Sequence, residues 1–279
     1  MQDNHSHING FPINYSKFPL TKNYKYAEVI LYPNDYLVIP RLWSHWVFSD
    51  PYTLAVSYNI SKNKDKLIKF NTDIIRHNTS KIINKDNIIF SNLEKGLPHT
   101  GTYKCNSSIN YKDFINSSIN LDFKFICSET EDVCPVIKPD TNYNKCTFID
   151  NLNNVLNDSF FMDKHLYVGQ HCTTNFTAPT PIPIPTPTPT PTTAPTTAPI
   201  SPITNLLTIP NFDNIVNDDT FFYTSRAWFN FHKPVDSGLH FDGNDNILYV
   251  LTGKKKVLLA HPEYNQYAYI SELPIIKFL

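Results

Sequence analysis

His240 and Asp242 lie two residues apart in the segment LHFDGNDNILYVLTGKKKVLLAHP, which spans residues 239–262. In a β-strand, side chains two residues apart project from the same face, so this imidazole and this carboxylate could approach one ion. Two histidines and one carboxylate with open coordination positions are typical of non-haem Fe(II). A His-x-Asp pair also occurs often by chance, and DGND is a good loop sequence, so an exposed turn is the alternative interpretation.

Polar and small residues surround this pair at fixed spacings, in the order Ser237, Asn246, Gly253 and Lys255. This order resembles that of the JmjC and cupin-like Fe(II)- and 2-oxoglutarate-dependent oxygenases, and most closely the branch with the asparaginyl hydroxylase of hypoxia-inducible factor. The resemblance implies that Lys255 binds the distal carboxylate of 2-oxoglutarate. It also implies that Ser237 and Asn246 lie at the binding site of this cosubstrate.

The lysine assigned to the cosubstrate has two lysine neighbours. An ammonium group on a long stem suits a carboxylate inside a β-barrel, which supports the role of Lys255. Lys254 and Lys256 alternate with it on the predicted strand, so we expect them to project from the other face as ordinary solvated charges.

The third metal ligand that the resemblance requires normally follows the metal pair along the chain, and nothing after Asp242 fits that pattern. Residues 31–47, LYPNDYLVIPRLWSHWV, do fit it, because His45 follows Ile39-Pro40 at the expected spacing. Asn59, on a later strand-like run, matches an asparagine beside the cosubstrate. A buried core histidine is the interpretation of His45 taken alone. Together with the His-x-Asp pair, it is the predicted third ligand.

Two positions depart from the family pattern in this first block. Asn34 stands where the family has a glycine, and asparagine tolerates left-handed backbone better than most residues. Ser44 stands where the family has a second tryptophan, which affects packing and removes no ligand.

The two halves of the cupin-like domain that the resemblance implies therefore occur in reverse order. Its N-terminal half corresponds to residues 203–279 and its C-terminal half to residues 1–60. Joined from Leu279 to Met1, they read as one uninterrupted domain, so circular permutation is the simplest interpretation, and two neighbouring domains each cut in half is the alternative. Permutation requires that the original ends lie close together. We expect Met1 to lie near Leu279, and the protein to be a monomer or a domain-swapped dimer.

Short runs of aromatic and β-branched residues, separated by turn residues, predict strands in both end blocks and hence a mainly β fold. The resemblance implies a double-stranded β-helix, the jelly-roll or cupin fold, assembled from both ends of the chain. Residues 61–177 form an inserted α+β or irregular segment of unknown role, in which LDFKFIC and HLYVG are candidate strands and NLNNVLNDSFF a candidate helix. Residues 178–202 are a Pro/Thr-rich linker with polyproline II character, or alternatively a ligand for a proline-binding partner.

Composition limits the function classes. The net charge of −1 argues against nucleic-acid binding by bulk electrostatics, and no apolar run is long enough for a membrane-spanning helix. The first residues lack a signal-peptide pattern, so we expect an intracellular protein, cytoplasmic or nuclear. The five cysteines and several glycosylation sequons leave a secreted, disulfide-bonded protein as a weaker alternative.

The sequence thus predicts an Fe(II)- and 2-oxoglutarate-dependent dioxygenase with His45, His240 and Asp242 as metal ligands. By resemblance, the partner is a protein substrate whose side chain is hydroxylated or demethylated. The alternative is a non-catalytic cupin-like protein with a binding or structural role.

Overall fold

The computed structural model of the protein describes residues 4–8, 10–62, 99–102, 109–134, 145–174 and 220–270. These residues form thirteen strands: β1 (Ala27–Leu31), β2 (Asp35–Ile39), β3 (Ser44–Ser49), β4 (Leu54–Lys62), β5 (His99–Thr102), β6 (Asp122–Ser128), β7 (Lys145–Asn151), β8 (His165–Thr174), β9 (Thr220–Asn230), β10 (Val235–Asp236), β11 (His240–Phe241), β12 (Asp245–Thr252) and β13 (Lys255–Ala260). They also form the helices α1 (Tyr111–Ser118) and α2 (Leu152–Asn157), and 3₁₀ helices at Pro19–Asn23, Ser159–Phe161 and Pro262–Tyr267. The predicted mainly β fold is confirmed.

The strands form two antiparallel sheets. The five-stranded sheet has the order β1-β13-β3-β10, with β11 also paired to β3. The eight-stranded sheet has the order β5-β2-β12-β4-β9-β8-β6-β7. In both sheets, strands from the first and last parts of the chain alternate, since β13 lies between β1 and β3 and β12 lies between β2 and β4. Neither part could complete these sheets alone.

One hydrophobic core joins the two sheets. Its buried side chains come from alternate positions of β1 and β13 in the five-stranded sheet and of β2, β4 and β12 in the eight-stranded sheet. They are Val29, Leu31, Leu37, Ile39, Ala55, Leu248, Val250, Val257 and Leu259, together with Trp43. Because alternate residues of a strand share a face, this pattern means that the two sheets pack face to face. Each fully buried aliphatic side chain of this size contributes about 1.5–3 kcal/mol by leaving water.

The described strands of the middle segment all belong to the eight-stranded sheet and do not form a separate sheet. Its strands β8, β6 and β7 extend the eight-stranded sheet beyond β9, and β5 pairs with β2. Helices α1 and α2 bury Phe114, Leu152 and Val155 against the outer face of that sheet, in a second core that includes Phe229. The candidate strands LDFKFIC and HLYVG and the candidate helix within NLNNVLNDSFF are confirmed as β6, β8 and α2. The predicted proline-rich linker lies outside the described residues.

Segments near the two ends of the chain lie side by side. Ser6 forms an isolated antiparallel bridge with Ile270, and the His7 N–H donates to the Tyr269 carbonyl at 2.9 Å. Met1 and Leu279, whose proximity we expect, lie outside the described residues. No helix within the described residues has the length and apolar character needed to cross a membrane.

Candidate metal centre

The three predicted metal ligands lie together. His45 on β3 and His240 on β11 face each other in register, and their ring centroids are 4.3 Å apart. Asp242 follows directly after β11, with its Oδ2 3.6 Å from His45 Nε2. One potential ligand atom from each residue lies within 4.8 Å of the others, so the group could bind a metal ion.

A buried carboxylate fixes the turn that leads to His240. Asp236 accepts hydrogen bonds from the Trp46 indole N–H and from the Gly238 backbone N–H. Trp46 is the neighbour of His45 on β3, so Asp236 ties this strand to the turn before β11. Gly238 has φ 73°, a left-handed conformation that glycine adopts without steric cost. The Leu42 N–H donates to the Asp242 carbonyl at 2.7 Å and holds the other end of β11.

Hydrogen bonds set the orientation of both imidazoles. His45 Nδ1 lies 3.0 Å from the Trp43 carbonyl oxygen, and His240 Nδ1 lies 2.9 Å from the Gly238 carbonyl oxygen. A carbonyl oxygen only accepts, so each Nδ1 carries the proton and donates it. In the neutral rings, both Nε2 atoms are then left with a free lone pair for a metal. This is the usual arrangement around metal-binding histidines, in which a backbone carbonyl fixes the tautomer.

The charge states also suit a metal. Burial and, to a smaller extent, the neighbouring His240 lower the pKa of His45 to about 4, so His45 is neutral at pH 7. For Asp242, burial favours the protonated form, but His45 and His240 outweigh it and hold the carboxyl pKa below its usual value. The group therefore offers the neutral imidazole of His45 and the carboxylate of Asp242, the forms in which these side chains bind metals.

A cavity of about 650 Å³ extends from this group between the two sheets. Every residue that the sequence assigns to the metal or the cosubstrate lines it: His45, Asn59, Ser237, His240, Asp242, Asn246 and Lys255. They occupy inward-facing positions on several strands and on the turn before β11, which explains how residues distant in sequence share one space.

Lys255 is the most unusual of these residues, because its side chain is only 1% exposed. Its Nζ donates to Ser49 Oγ at 2.7 Å and lies 6.0 Å from the centre of the Tyr167 ring. Within the described residues, no carboxylate lies at ion-pair distance, and burial lowers its pKa to about 7. A buried ammonium without a counter-ion is costly, so this position suits an anionic ligand that would supply one.

The two flanking lysines point away from the cavity, as predicted. Lys254 Nζ pairs with the exposed Asp50 carboxylate at 2.7 Å. Lys256 Nζ lies 4.9 Å from the centre of the Phe11 ring and 4.8 Å from that of Phe48.

The three remaining predicted residues have distinct surroundings. Asn246 is buried, its Oδ1 has no hydrogen-bond partner within the described residues, and its side chain helps to lower the pKa of Asp242. Asn59 lies opposite Asn246 in the β12–β4 ladder. Ser237 Oγ accepts from the Val47 N–H at 3.2 Å and lies 3.3 Å from the Gly238 carbonyl oxygen. The unpaired Asn246 Oδ1 is a polar position that a ligand could occupy.

The sequence alone did not identify several residues of this cavity. Arg226 and Trp228 on β9 line it, and so does Tyr167 from the middle segment, for which the sequence suggests no role. His5 stacks on His240 with ring centroids 5.1 Å apart. Arg226 is the one charged residue in the run TSRAWFNF, a weak signal that shows only that a cation interrupts an apolar strand.

The metal and cosubstrate residues predicted from the sequence thus surround a single cavity. Comparison of the chain with models of known protein families, with curated proteins and with solved structures finds no match.

Proposed function

We propose that the protein is an Fe(II)- and 2-oxoglutarate-dependent oxygenase built on a circularly permuted double-stranded β-helix. The observation that carries this proposal is the combination of two groups in one cavity. The first is the cluster of His45, His240 and Asp242, whose ligand atoms lie within 4.8 Å of one another. The second is Lys255, a buried cation for which the described residues supply no anion.

The strand pairing supports the double-stranded β-helix. The strands β9 to β13, followed by β1 to β4, form a series of eight when β10 and β11 are counted as one interrupted strand. The first pairs with the eighth (β9 with β4) and the second with the seventh (β10 and β11 with β3). The third pairs with the sixth (β12 with β2) and the fourth with the fifth (β13 with β1). This nested pairing over two sheets is typical of an eight-stranded jelly roll.

The same count supports permutation. The nested order begins at β9 and continues at β1, although β1 precedes β9 in the chain. A domain acquires this order when its original N- and C-termini are joined and its chain is opened within another connection between strands. The bridge between Ser6 and Ile270 brings together the segments that an unpermuted domain would connect directly.

The donor set fits Fe(II). Two imidazole nitrogens and one carboxylate form the facial triad of non-haem iron enzymes, and such a triad leaves coordination positions for other ligands. Zinc also accepts these donors. Lys255 favours the oxygenase, because a zinc site with a bound water has no need of a buried cation inside the same cavity. Iron with 2-oxoglutarate and dioxygen would supply the oxidation of a C–H bond.

The roles of the chain's own residues follow from their positions. Lys255 would bind the distal carboxylate of 2-oxoglutarate, and Ser49 orients its ammonium group. The Asn246 Oδ1 and the Ser237 hydroxyl are polar groups at the edge of the same space. Apolar side chains of Ile39 and Leu248 complete the wall and exclude water, which strengthens these electrostatic contacts. The proposed substrate is a protein side chain that is hydroxylated or demethylated.

Anaerobic titration with Fe(II) and then with 2-oxoglutarate tests the proposal, with the weak visible charge-transfer band of the iron–2-oxoglutarate chelate as the readout. We expect one bound iron per chain, and the band on addition of 2-oxoglutarate. Asp242→Ala should lose iron binding, whereas Asp50→Ala, which removes an exposed carboxylate, should retain it. Lys255→Met should bind iron normally but bind 2-oxoglutarate about 10- to 150-fold more weakly, the loss of one charge-assisted hydrogen bond.

Two results would contradict the proposal. Failure of the native protein to bind Fe(II) would exclude the metal site. Iron binding without any 2-oxoglutarate band would instead indicate a cupin-like metal-binding protein without oxygenase activity.

A further inference from the structure

The cavity carries more positive charge than the cosubstrate alone requires. Its described lining includes three cationic side chains, those of Lys124, Arg226 and Lys255. It includes one carboxylate, Asp242, which the proposed metal would neutralise. After a metal and a cosubstrate are bound, Arg226 still faces the cavity without an assigned anion.

Arg226 and Lys255 belong to opposite walls. Lys255 lies on β13 of the five-stranded sheet, and Arg226 lies on β9 of the eight-stranded sheet, directly opposite Ser57. Arg226 also helps to lower the pKa of Asp242, which places its charge on the metal side of the cavity. The two cations are therefore suited to two different anionic groups.

The guanidinium of Arg226 is incompletely paired. Its Nε is buried and has no hydrogen-bond partner within the described residues. A guanidinium binds a carboxylate through two parallel N–H donors, and Nε–H is one donor of such a fork. A buried N–H without a partner is unfavourable, and a bound carboxylate would remove this cost by accepting its hydrogen bond.

The surface beside Arg226 is flat and aromatic. Trp228 follows two residues later on the same face of β9, and its ring stacks on Tyr167 with centroids 6.1 Å apart. Its indole N–H is already donated to Ser57 Oγ at 2.7 Å, so Trp228 offers the cavity an apolar face. A Cβ at Gly169 would lie 3.3 Å from Tyr167 Cε1 and 3.4 Å from Trp228 Cζ3, so a larger residue there would press on both rings of this stack.

We propose, on the basis of the oxygenase function proposed above, that Arg226 binds a carboxylate of the substrate and that the enzyme therefore acts on acidic substrates. The stem of the acidic group would lie along Trp228, and its carboxylate would accept from the Nε–H of Arg226. An acidic peptide and a small carboxylic acid share this chemistry.

The test measures binding to the protein loaded anaerobically with Fe(II) and 2-oxoglutarate, so that it does not depend on turnover. The probes are short random peptides with a central Asp or Glu, matched peptides with a central Asn or Gln, and the small acids glutarate and succinate. We expect the acidic peptides or the small acids to bind, with the acidic peptides at least about tenfold tighter than the amide peptides if the substrate is a protein. The arm that binds identifies the source of the carboxylate.

Variants of Arg226 then assign the binding to this side chain. Arg226→Gln should abolish the preference for acidic probes while it leaves the affinity for 2-oxoglutarate within about twofold, and Arg226→Glu should transfer the preference to peptides with a central Lys. Arg41→Gln, a substitution outside the cavity lining, is the control and should change neither. If Arg226→Gln does not fold, Arg226→Lys should retain the acidic preference at reduced affinity, because it keeps the charge and loses the fork.

The inference is overturned if the loaded protein binds acidic and amide probes equally or binds neither. It is also overturned if Arg226→Gln weakens 2-oxoglutarate binding and leaves the acidic preference intact. In these cases the iron–2-oxoglutarate band persists in the native protein, and the oxygenase proposal stands. Absence of that band in the native protein would overturn both.

Discussion

His45 and His240 lie directly opposite each other on neighbouring antiparallel strands, although most of the chain separates them in sequence. Their ring centroids are 4.3 Å apart, and each ring donates its Nδ1 proton to the carbonyl oxygen of the residue two positions earlier. A metal bound between them would therefore link β3, from the first part of the chain, to β11, from the last part.

The first prediction follows from this link. Fe(II) under anaerobic conditions should raise the thermal unfolding temperature, because an ion that binds only the folded state adds about 2.7 kcal/mol of stability at a concentration 100 times its dissociation constant. A chelator should reverse the shift. In His45→Ala the shift should be absent, whereas in His7→Ala, which changes an exposed histidine outside the triad, it should remain. An equal shift in both variants would show that iron binds elsewhere.

The second prediction concerns the cost of burying Lys255. Burial lowers the pKa of Lys255 to about 7 in the folded protein. Between pH 7 and the ordinary lysine pKa, the side chain is therefore protonated in the unfolded chain and mostly neutral in the folded chain. Stability is therefore lost as the pH falls from about 10 to 7. Lys255→Met removes this penalty and should be more stable at pH 7 by on the order of 4 kcal/mol, measured by urea unfolding.

The advantage of Lys255→Met should shrink as the pH rises towards 9.5, because deprotonating Lys255 on folding costs less free energy as the pH approaches the ordinary lysine pKa. Lys254→Met is the matched control, since Lys254 is exposed on the opposite face, and it should show no comparable gain. A Lys255→Met variant that is less stable than the native protein at every pH would contradict the burial argument.

The third prediction concerns the pH dependence of cosubstrate binding. A carboxylate beside Lys255 stabilises the ammonium form, so binding of 2-oxoglutarate takes up a proton when Lys255 is neutral beforehand. Above a pKa of about 7, the dissociation constant should then increase, approaching tenfold for each pH unit. Titrations between pH 6.5 and 8.5 should show this slope in the native protein and a flat profile in Lys255→Met. The same slope in both would assign the proton to another group.

The fourth prediction tests the turn that places Lys255. Gly253 has φ 75°, and a Cβ there would clash with Thr53 Oγ1 and lie 2.7 Å from Thr53 Cα. Gly253→Ala should therefore lower the free energy of unfolding by about 1–3 kcal/mol, measured by urea unfolding. Gly243→Ala is the control, because a Cβ at Gly243 meets no atom within 4 Å. Equal stability of the two variants would show that the β12–β13 turn relaxes without cost.

Local patterns in the sequence were sufficient for the elements of the site. Alternating apolar residues predict the strands on both sides of the cavity, since side chains two apart share a face whatever the strand pairs with. The left-handed backbone at Asn34, with φ 73°, also follows from residue type. The pair His240 and Asp242 was identified in the same way, from its spacing on a predicted strand, whereas Lys255 was assigned from the family resemblance.

Only the tertiary structure decided which strands pair and what surrounds each side chain. The opposition of His45 and His240 depends on a pairing between distant strands, and the period of a strand specifies its faces but not its neighbours. Burial of Lys255 depends on the opposite sheet, which includes Tyr167 from the middle segment. The position of Arg226 in the cavity wall likewise depends on the pairing of β9 with β4. The sequence shows a cation within an apolar run, but it does not show which space that cation faces.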